Sequence, residues 1–151
     1  MRATTKEQLY HFCLKFIEGR ISRIQERIHD LRESLDSETK SSTGDKHETG
    51  RAMLQLELEK SGNQLAEAHL MKTALDRVEV KQTSKQVCVG SLVITTAANY
   101  FLAISAGECT VGALKICCIS PNTPIGHLLL GKAVGETVCF RDAKIVIMEI
   151  I

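Results

Sequence analysis

Aromatic residues are scarce in this chain: 151 residues hold no tryptophan, four phenylalanines and two tyrosines. Pockets for small molecules are lined largely by apolar and aromatic side chains. The C-terminal half could offer such a lining only from Tyr100, Phe101 and Phe140, which argues against a prolyl-isomerase site. A long apolar run is missing too. No stretch approaches the roughly 20 residues needed to cross a bilayer, and the opening MRATTKEQLYHF lacks the apolar segment of a signal peptide. A cytoplasmic protein with no membrane partner is expected. Charge of one sign is also missing, since the net charge is +1. That argues against binding nucleic acid mainly by neutralising phosphates, so any contact with RNA or DNA is expected to pass through a protein partner. Finally, the six cysteines (Cys13, Cys88, Cys109, Cys117, Cys118 and Cys139) include no Cys-x-x-Cys pair. Cys117 and Cys118 are neighbours on an expected strand and point to opposite faces, so the cysteines read as buried small hydrophobes rather than metal ligands.

What is present divides the chain in two. Residues 1–80 hold 13 Lys and Arg with 14 Asp and Glu, whereas residues 81–151 hold 6 and 4. The boundary lies near 81–85. In the first half, Ile17, Ile21, Ile24, Ile28, Leu31 and Leu35 follow one another at intervals of four and three, the spacing of a heptad seam. Tyr10, Phe12, Cys13 and Phe16 widen that apolar face upstream, as a helix end docking on another domain requires. A second walk, from about residue 48 to 80, carries Leu54, Leu58, Leu65, Ala68 and Leu75, with Ser61 and Lys72 at the two remaining seam positions. Only the short polar segment 36–48 separates the two, so they fold back most simply as an antiparallel coiled-coil hairpin within one chain, and a monomer is expected. At 1.5 Å per residue, a first helix over 5–39 would be roughly 50 Å long.

The second half changes period. Short β-branched or apolar runs at 86–95, 98–105, 113–120, 136–141 and 143–151 predict about five strands. One short helix interrupts them: Thr123 can cap it, Pro124 suits its first position and Gly131 can end it. Residues 86–151 therefore read as a small antiparallel sheet with one short helix, and the whole chain as α+β. The last hairpin has Arg141-Asp142-Ala143-Lys144 as its turn.

Asp45 and Glu48 stand in the polar break between the two helical segments. Their spacing suits an N-cap with its partner three residues on, and both charges complement the positive end of the second helix. The same spacing sets two carboxylates at one edge of the hairpin end, able to share Mg²⁺ through oxygen ligands. Two carboxylates hold that ion weakly unless another protein supplies the rest of its shell. The chemistry they suit is completion of a two-metal phosphoryl-transfer site. His47 between them reads as a solvated turn histidine.

Two stretches carry a resemblance: Gly44-Asp45-Lys46-His47-Glu48-Thr49, and Ser120-Pro121-Asn122-Thr123-Pro124-Ile125-Gly126-His127-Leu128-Leu129-Leu130-Gly131-Lys132 with Gly135-Glu136-Thr137-Val138 after it. They resemble the Gre family of bacterial transcription elongation factors, of the GreA/GreB type. That family pairs an N-terminal antiparallel coiled coil, tipped by Gly-Asp-x-x-Glu-Asn, with an FK506-binding-protein-like (FKBP-like) sheet domain. The resemblance implies a coiled-coil hairpin over 1–80 with its acidic tip near 41–49, and an FKBP-like domain over 86–151. It further implies docking at the secondary channel of RNA polymerase, with residues 120–125 (Ser120, Pro121, Asn122, Thr123, Pro124, Ile125) at the partner surface. Asp45 and Glu48 would act in the polymerase active site as ligands of Mg²⁺, stimulating cleavage of backtracked transcripts. No cofactor would be held stably by the chain alone, and the protein would be an accessory factor rather than an enzyme. The alternative is a channel-binding regulator that does not promote cleavage.

Overall fold

The structure, a computed structural model, describes residues 2–40 and 45–151, with side chains described at 4–38 and 48–151. It opens with two long helices, α1 (Arg2–Lys40) and α2 (Asp45–Asp76), and continues with six strands and one short helix: β1 (Leu92–Thr95), β2 (Asn99–Leu102), β3 (Gly107–Val111), β4 (Leu114–Ile119), α3 (Pro124–Leu129), β5 (Thr137–Phe140) and β6 (Ala143–Ile150). The α+β architecture read from the sequence is the one observed. Two compact units divide the chain: Ile17–Lys72 alone, and Met1–Phe16 together with Thr73–Ile151. The first four turns of α1 thus belong with the sheet.

The unit Ile17–Lys72 is an antiparallel helical pair. Arg27 of α1 bonds Glu57 of α2 at 2.9 Å, Arg20 reaches the Met71 sulfur at 3.7 Å, and a Cβ on Gly50 would stand 3.7 Å from the Glu38 carboxylate. Partners thus climb one helix as they descend the other. The heptad reading holds side chain by side chain. Ile17, Ile21 and Ile28 are buried and Ile24, Leu31 and Leu35 half-buried, so the seam loosens toward the closed end of the hairpin. On α2, Ser61 and Ala68 are buried while Leu54, Leu58, Leu65 and Lys72 are half-buried. Burying a serine at a seam position is tolerable only if its hydroxyl is bonded. Among the described residues, no buried side-chain nitrogen or oxygen lacks a partner.

Helix α2 stops at Asp76 rather than running to residue 80. The N–H groups of Arg77 and Val78 turn back to the carbonyls of Ala74 and Leu75, tightening the last turn. This lets Val78 go into the core against Gly90, where a φ of 94° and a Glu79 carbonyl 3.1 Å from the position of a Cβ make any side chain strained. The same glycine breaks the run 86–95. Only Leu92–Thr95 joins the sheet as β1, while Val87 exchanges hydrogen bonds with Gly131 and Lys132.

The sheet has six strands in the order β3-β4-β2-β1-β6-β5. Every neighbouring pair is antiparallel except β2 with β4, which run parallel because β3 leaps past the place that β4 then fills. Strand β3 was not among the five expected. It is an edge strand in which Gly107, Glu108 and Thr110 are exposed, so no apolar alternation marks it. Register divides the sheet into two faces. Val93, Leu102, Val138, Ile145 and Ile147 pack with Ile125 and Leu129 of α3 in one core. On the other face, Leu92, Phe101 and Cys118 line up across β1, β2 and β4, with Gly107 beyond them on β3. All three of those side chains are nearly inaccessible, as are Leu9, Cys13, Leu75 and Val78 of the helix ends.

Candidate functional site

Asp45 is the first residue of α2 and Glu48 follows within the same turn. Residues three apart share one side of a helix, so the backbone sets both acids on one edge at the closed end of the hairpin. The helix takes in Asp45 itself, so its cap position falls at residue 44, outside the described residues, as do the side chains of Asp45 and His47. The carboxylate of Glu48 is described and exposed. Next along α2, Gly50 brings the backbone close to Glu38 of α1, so a third, half-buried carboxylate stands near the same end. Carboxylate oxygens are hard donors of the type Mg²⁺ takes, and two or three of them would fill only part of its six-coordinate shell. Among the described residues, no group of three or more His, Cys, Asp or Glu could enclose a metal ion. Farther from the closed end, Arg20, Arg23 and Arg27 line an open groove of the hairpin with Gln64, Glu67 and Met71, and Arg27 is engaged by Glu57.

Residues 120–125 form the entry to α3. The Thr123 side chain accepts the Gly126 N–H at 3.1 Å and donates to the Ser120 carbonyl at 2.7 Å, the Asn122 N–H reaches the Ser120 hydroxyl, and Pro124 occupies the first turn. This is the cap expected from the sequence. Gly131, with φ of 80°, follows the cap residue Leu130 at the other end. Asn122 and Pro124 are exposed, Ser120, Pro121 and Thr123 half-buried, and Ile125 belongs to the core. Of the six residues expected at a partner surface, Ile125 therefore holds the helix down from inside. In the run Leu128-Leu129-Leu130, Leu129 is fully buried and its neighbours pack against the same core.

Two features were not foreseen. Lys6 is 1% exposed, and its ammonium donates to the Gln82 carbonyl at 3.0 Å. Burial lowers its pKa, an effect that nearby Cys88 partly offsets. The second feature is a pair of thiols. Cys13 on α1 and Cys118 on β4 are 0% and 2% exposed, and each perturbs the titration of the other. The influence of Cys118, opposed by burial and aided by the Ile104 backbone, draws Cys13 below the ordinary thiol range. The influence of Cys13 together with burial pushes Cys118 above it. The expectation of buried small cysteines describes these two well. Cys139 is exposed, and Cys88, Cys109 and Cys117 are half-buried. The signal for the pair lay in Cys13 standing four residues after Leu9, on the buried side of α1.

No family model matches the chain, and no curated protein matches it. Among solved structures, that of the transcription factor Gfh1 is similar at 17% identity and a TM-score of 0.35, the match covering 87% of this chain and 92% of that one. No helix among the described residues is long and apolar enough to cross a membrane.

Proposed function

We propose that this protein is a transcription elongation factor of the Gre type. It binds RNA polymerase at the secondary channel and extends the closed end of its hairpin toward the catalytic centre. Asp45 and Glu48 would there hold a Mg²⁺ ion together with polymerase ligands, helping a backtracked enzyme hydrolyse its own transcript. The observation that carries the reading is the placement of both acids in the first turn of α2, at the closed end of an antiparallel pair. From Ile17 to Lys40 that pair is roughly 36 Å long at 1.5 Å per residue. The resemblance of the stretches at 44–49 and 120–132 to the Gre motifs supports it further. Mg²⁺ would supply charge neutralisation and an activated water. The chain's own part is to present two carboxylates on a stiff support. It acts as an accessory factor, in the cytoplasm, touching RNA and DNA only through the polymerase complex.

A second reading, a channel-binding regulator that does not promote cleavage, is favoured by one local departure. Thr49 stands where the family motif has Asn, and Gly50-Arg51-Ala52 replaces an acidic and aromatic stretch. A stalled, backtracked elongation complex with labelled transcript separates the two. Shortening of the RNA on addition of the protein and Mg²⁺ is expected, and Asp45→Asn should abolish most of it. Loss of that charge at the positive end of α2 should cost stability only about 0.3–1 kcal/mol. Replacing Asp45 and Glu48 together by Ala should leave polymerase binding intact. Full-length RNA despite binding selects the regulator, and absence of binding overturns both readings.

A further inference from the structure

We propose that the arginine-lined face of the hairpin is a docking surface for an amphipathic helix of RNA polymerase, acidic at one end and apolar at the other. The inference rests on the function proposed above for the identity of the partner, and on the geometry of the unit Ile17–Lys72 for its chemistry. Arg20, Arg23 and Arg27 succeed one another at three and four residues, so their side chains stand along one side of α1 over about two turns. They border an open hollow of about 480 Å³ whose other wall includes Gln64, Glu67 and Met71 of α2. Contacts with α2 hold two of them in place. Arg20 Nη1 is 3.7 Å from the Met71 sulfur, and Arg27 Nη2 is 2.9 Å from Glu57 Oε2. Arg23 lies back along its own helix, with Nη1 3.2 Å from the place that a Cβ on Gly19 would take. Guanidiniums held in this way lose less freedom when a carboxylate pairs with them bidentately.

Two observations select a polypeptide helix over a phosphate strand. The face does not stay basic along its length. A second hollow shares Arg23 and Arg27 and runs on toward the closed end past Leu31 and Ser34, with Glu26 and Asp30 along it. Together with Glu67 in the first hollow, these acids deny a phosphate backbone a continuous positive track. They also orient the occupant, whose carboxylates are drawn to the arginine end and repelled from Asp30. The second observation is apolar surface on the same flank. Met53 stands about five full turns before Met71 and so on the same side of α2, and Met53 and Leu56 are 64% and 65% exposed. Met53 is one turn from Glu57, the partner of Arg27, so the apolar patch adjoins the arginines. Methionine beside arginine is a composition enriched in protein interfaces. From Arg20 to Ser34 the face is about 21 Å long at 1.5 Å per residue, the length of a helix of about 14 residues. Carboxylates three or four residues apart on such a helix meet the arginines, and its next turns lay apolar side chains on Met53 and Leu56.

The test measures binding of the full chain to core RNA polymerase free of nucleic acid. Arg20→Glu combined with Arg23→Glu should weaken binding about ten-fold or more, through like-charge contact with the partner's acids, and leave thermal melting unchanged. That loss should shrink as salt is raised. Met53→Ser combined with Leu56→Ser should weaken binding at every salt concentration. A benzophenone amino acid replacing Gln64, irradiated in the complex and mapped by mass spectrometry, should attach to a polymerase helix with Asp or Glu at three- and four-residue spacing. Wild-type protein that does not bind polymerase overturns the function proposed above, and this inference with it. Binding that survives either double variant, in a protein that melts like the wild type, overturns this inference alone. So does attachment to a segment without those acids, or a charge effect that appears only when a transcript is present, which would make the arginines RNA contacts. If the arginine double variant does not fold, Arg23→Glu alone, at an exposed position, carries the same test.

Discussion

The Ser120 carbonyl oxygen lies 2.5 Å from the point where a Cβ on Gly126 would stand, and the Pro121 backbone lies 2.9 Å from it. The chain entering α3 is thus folded directly against the helix it begins. Gly126→Ala must push the Ser120-Pro121 backbone away, and the Thr123 bonds to Gly126 and Ser120 pass through the same place. Overpacking of this kind costs typically about 1–3 kcal/mol. Urea unfolding should show the unfolding free energy lowered by that amount, with a lower midpoint at unchanged slope, whereas Thr123→Ser, which keeps the capping oxygen, should change it by no more than a few tenths of a kcal/mol. An unshifted midpoint for Gly126→Ala would mean the close approach is absent in solution.

The parts of the fold that were legible in the sequence are those decided locally. The four-three spacing of Ile17, Ile21 and Ile28 needs only helical periodicity to predict burial, and Thr123, Pro124 and Gly131 punctuate α3 by backbone preference alone. What stayed hidden depends on distant partners. Strand β3 has Glu108 and Thr110 facing out and acquires its identity from pairing with β4. The parallel pairing of β2 with β4 follows from strand order, which no residue within either strand encodes. Gly90 looked like part of a strand but serves a close approach by Glu79, far away in structure type and only visible once α2 has ended. At the hairpin end, the motif residues Asp45 and Glu48 were legible as a pair, yet their spacing suits a helix start and a metal site equally. Only a charge-specific variant tells those apart.

The β5–β6 hairpin closes in two residues, Arg141 and Asp142, both with left-handed backbone (φ 52° and 65°), and Phe140 pairs directly with Ala143. Ala143 and Lys144 are therefore strand rather than turn, a correction to the four-residue turn read from the sequence. Such a two-residue loop matches the twist of the strands, but it places two side-chain-bearing residues where glycine is easiest. Arg141 recovers something by laying its guanidinium 5.0 Å from the Phe140 ring centre. Asp142 has no such contact described. Asp142→Gly should thus raise stability by about 0.5–1 kcal/mol without changing the denaturant slope. Asp142→Val, which forces a β-branched residue into the same conformation, should lower it. The two shifts in opposite directions, measured by urea unfolding, check the geometry of the turn.

Lys6 offers a pH-dependent test. Its pKa in the folded protein lies below the ordinary 10.5, chiefly because burial disfavours the charged ammonium. Between the folded value and 10.5 the unfolded chain binds more protons than the folded one, so stability attributable to this group increases with pH there. Below the folded value both states are charged and the full cost of burying the ammonium remains. Lys6→Met keeps the length and apolar volume of the stem while removing the charge and its bond to the Gln82 carbonyl. Urea unfolding of both proteins, followed from neutral pH toward 10.5, should show the wild type gaining stability relative to Lys6→Met as the pH rises. A difference that stays constant across that window would mean that Lys6 has the same proton affinity folded and unfolded. A difference that moves the other way would mean that its charged form is the one the fold favours, with the Gln82 carbonyl outweighing the loss of water.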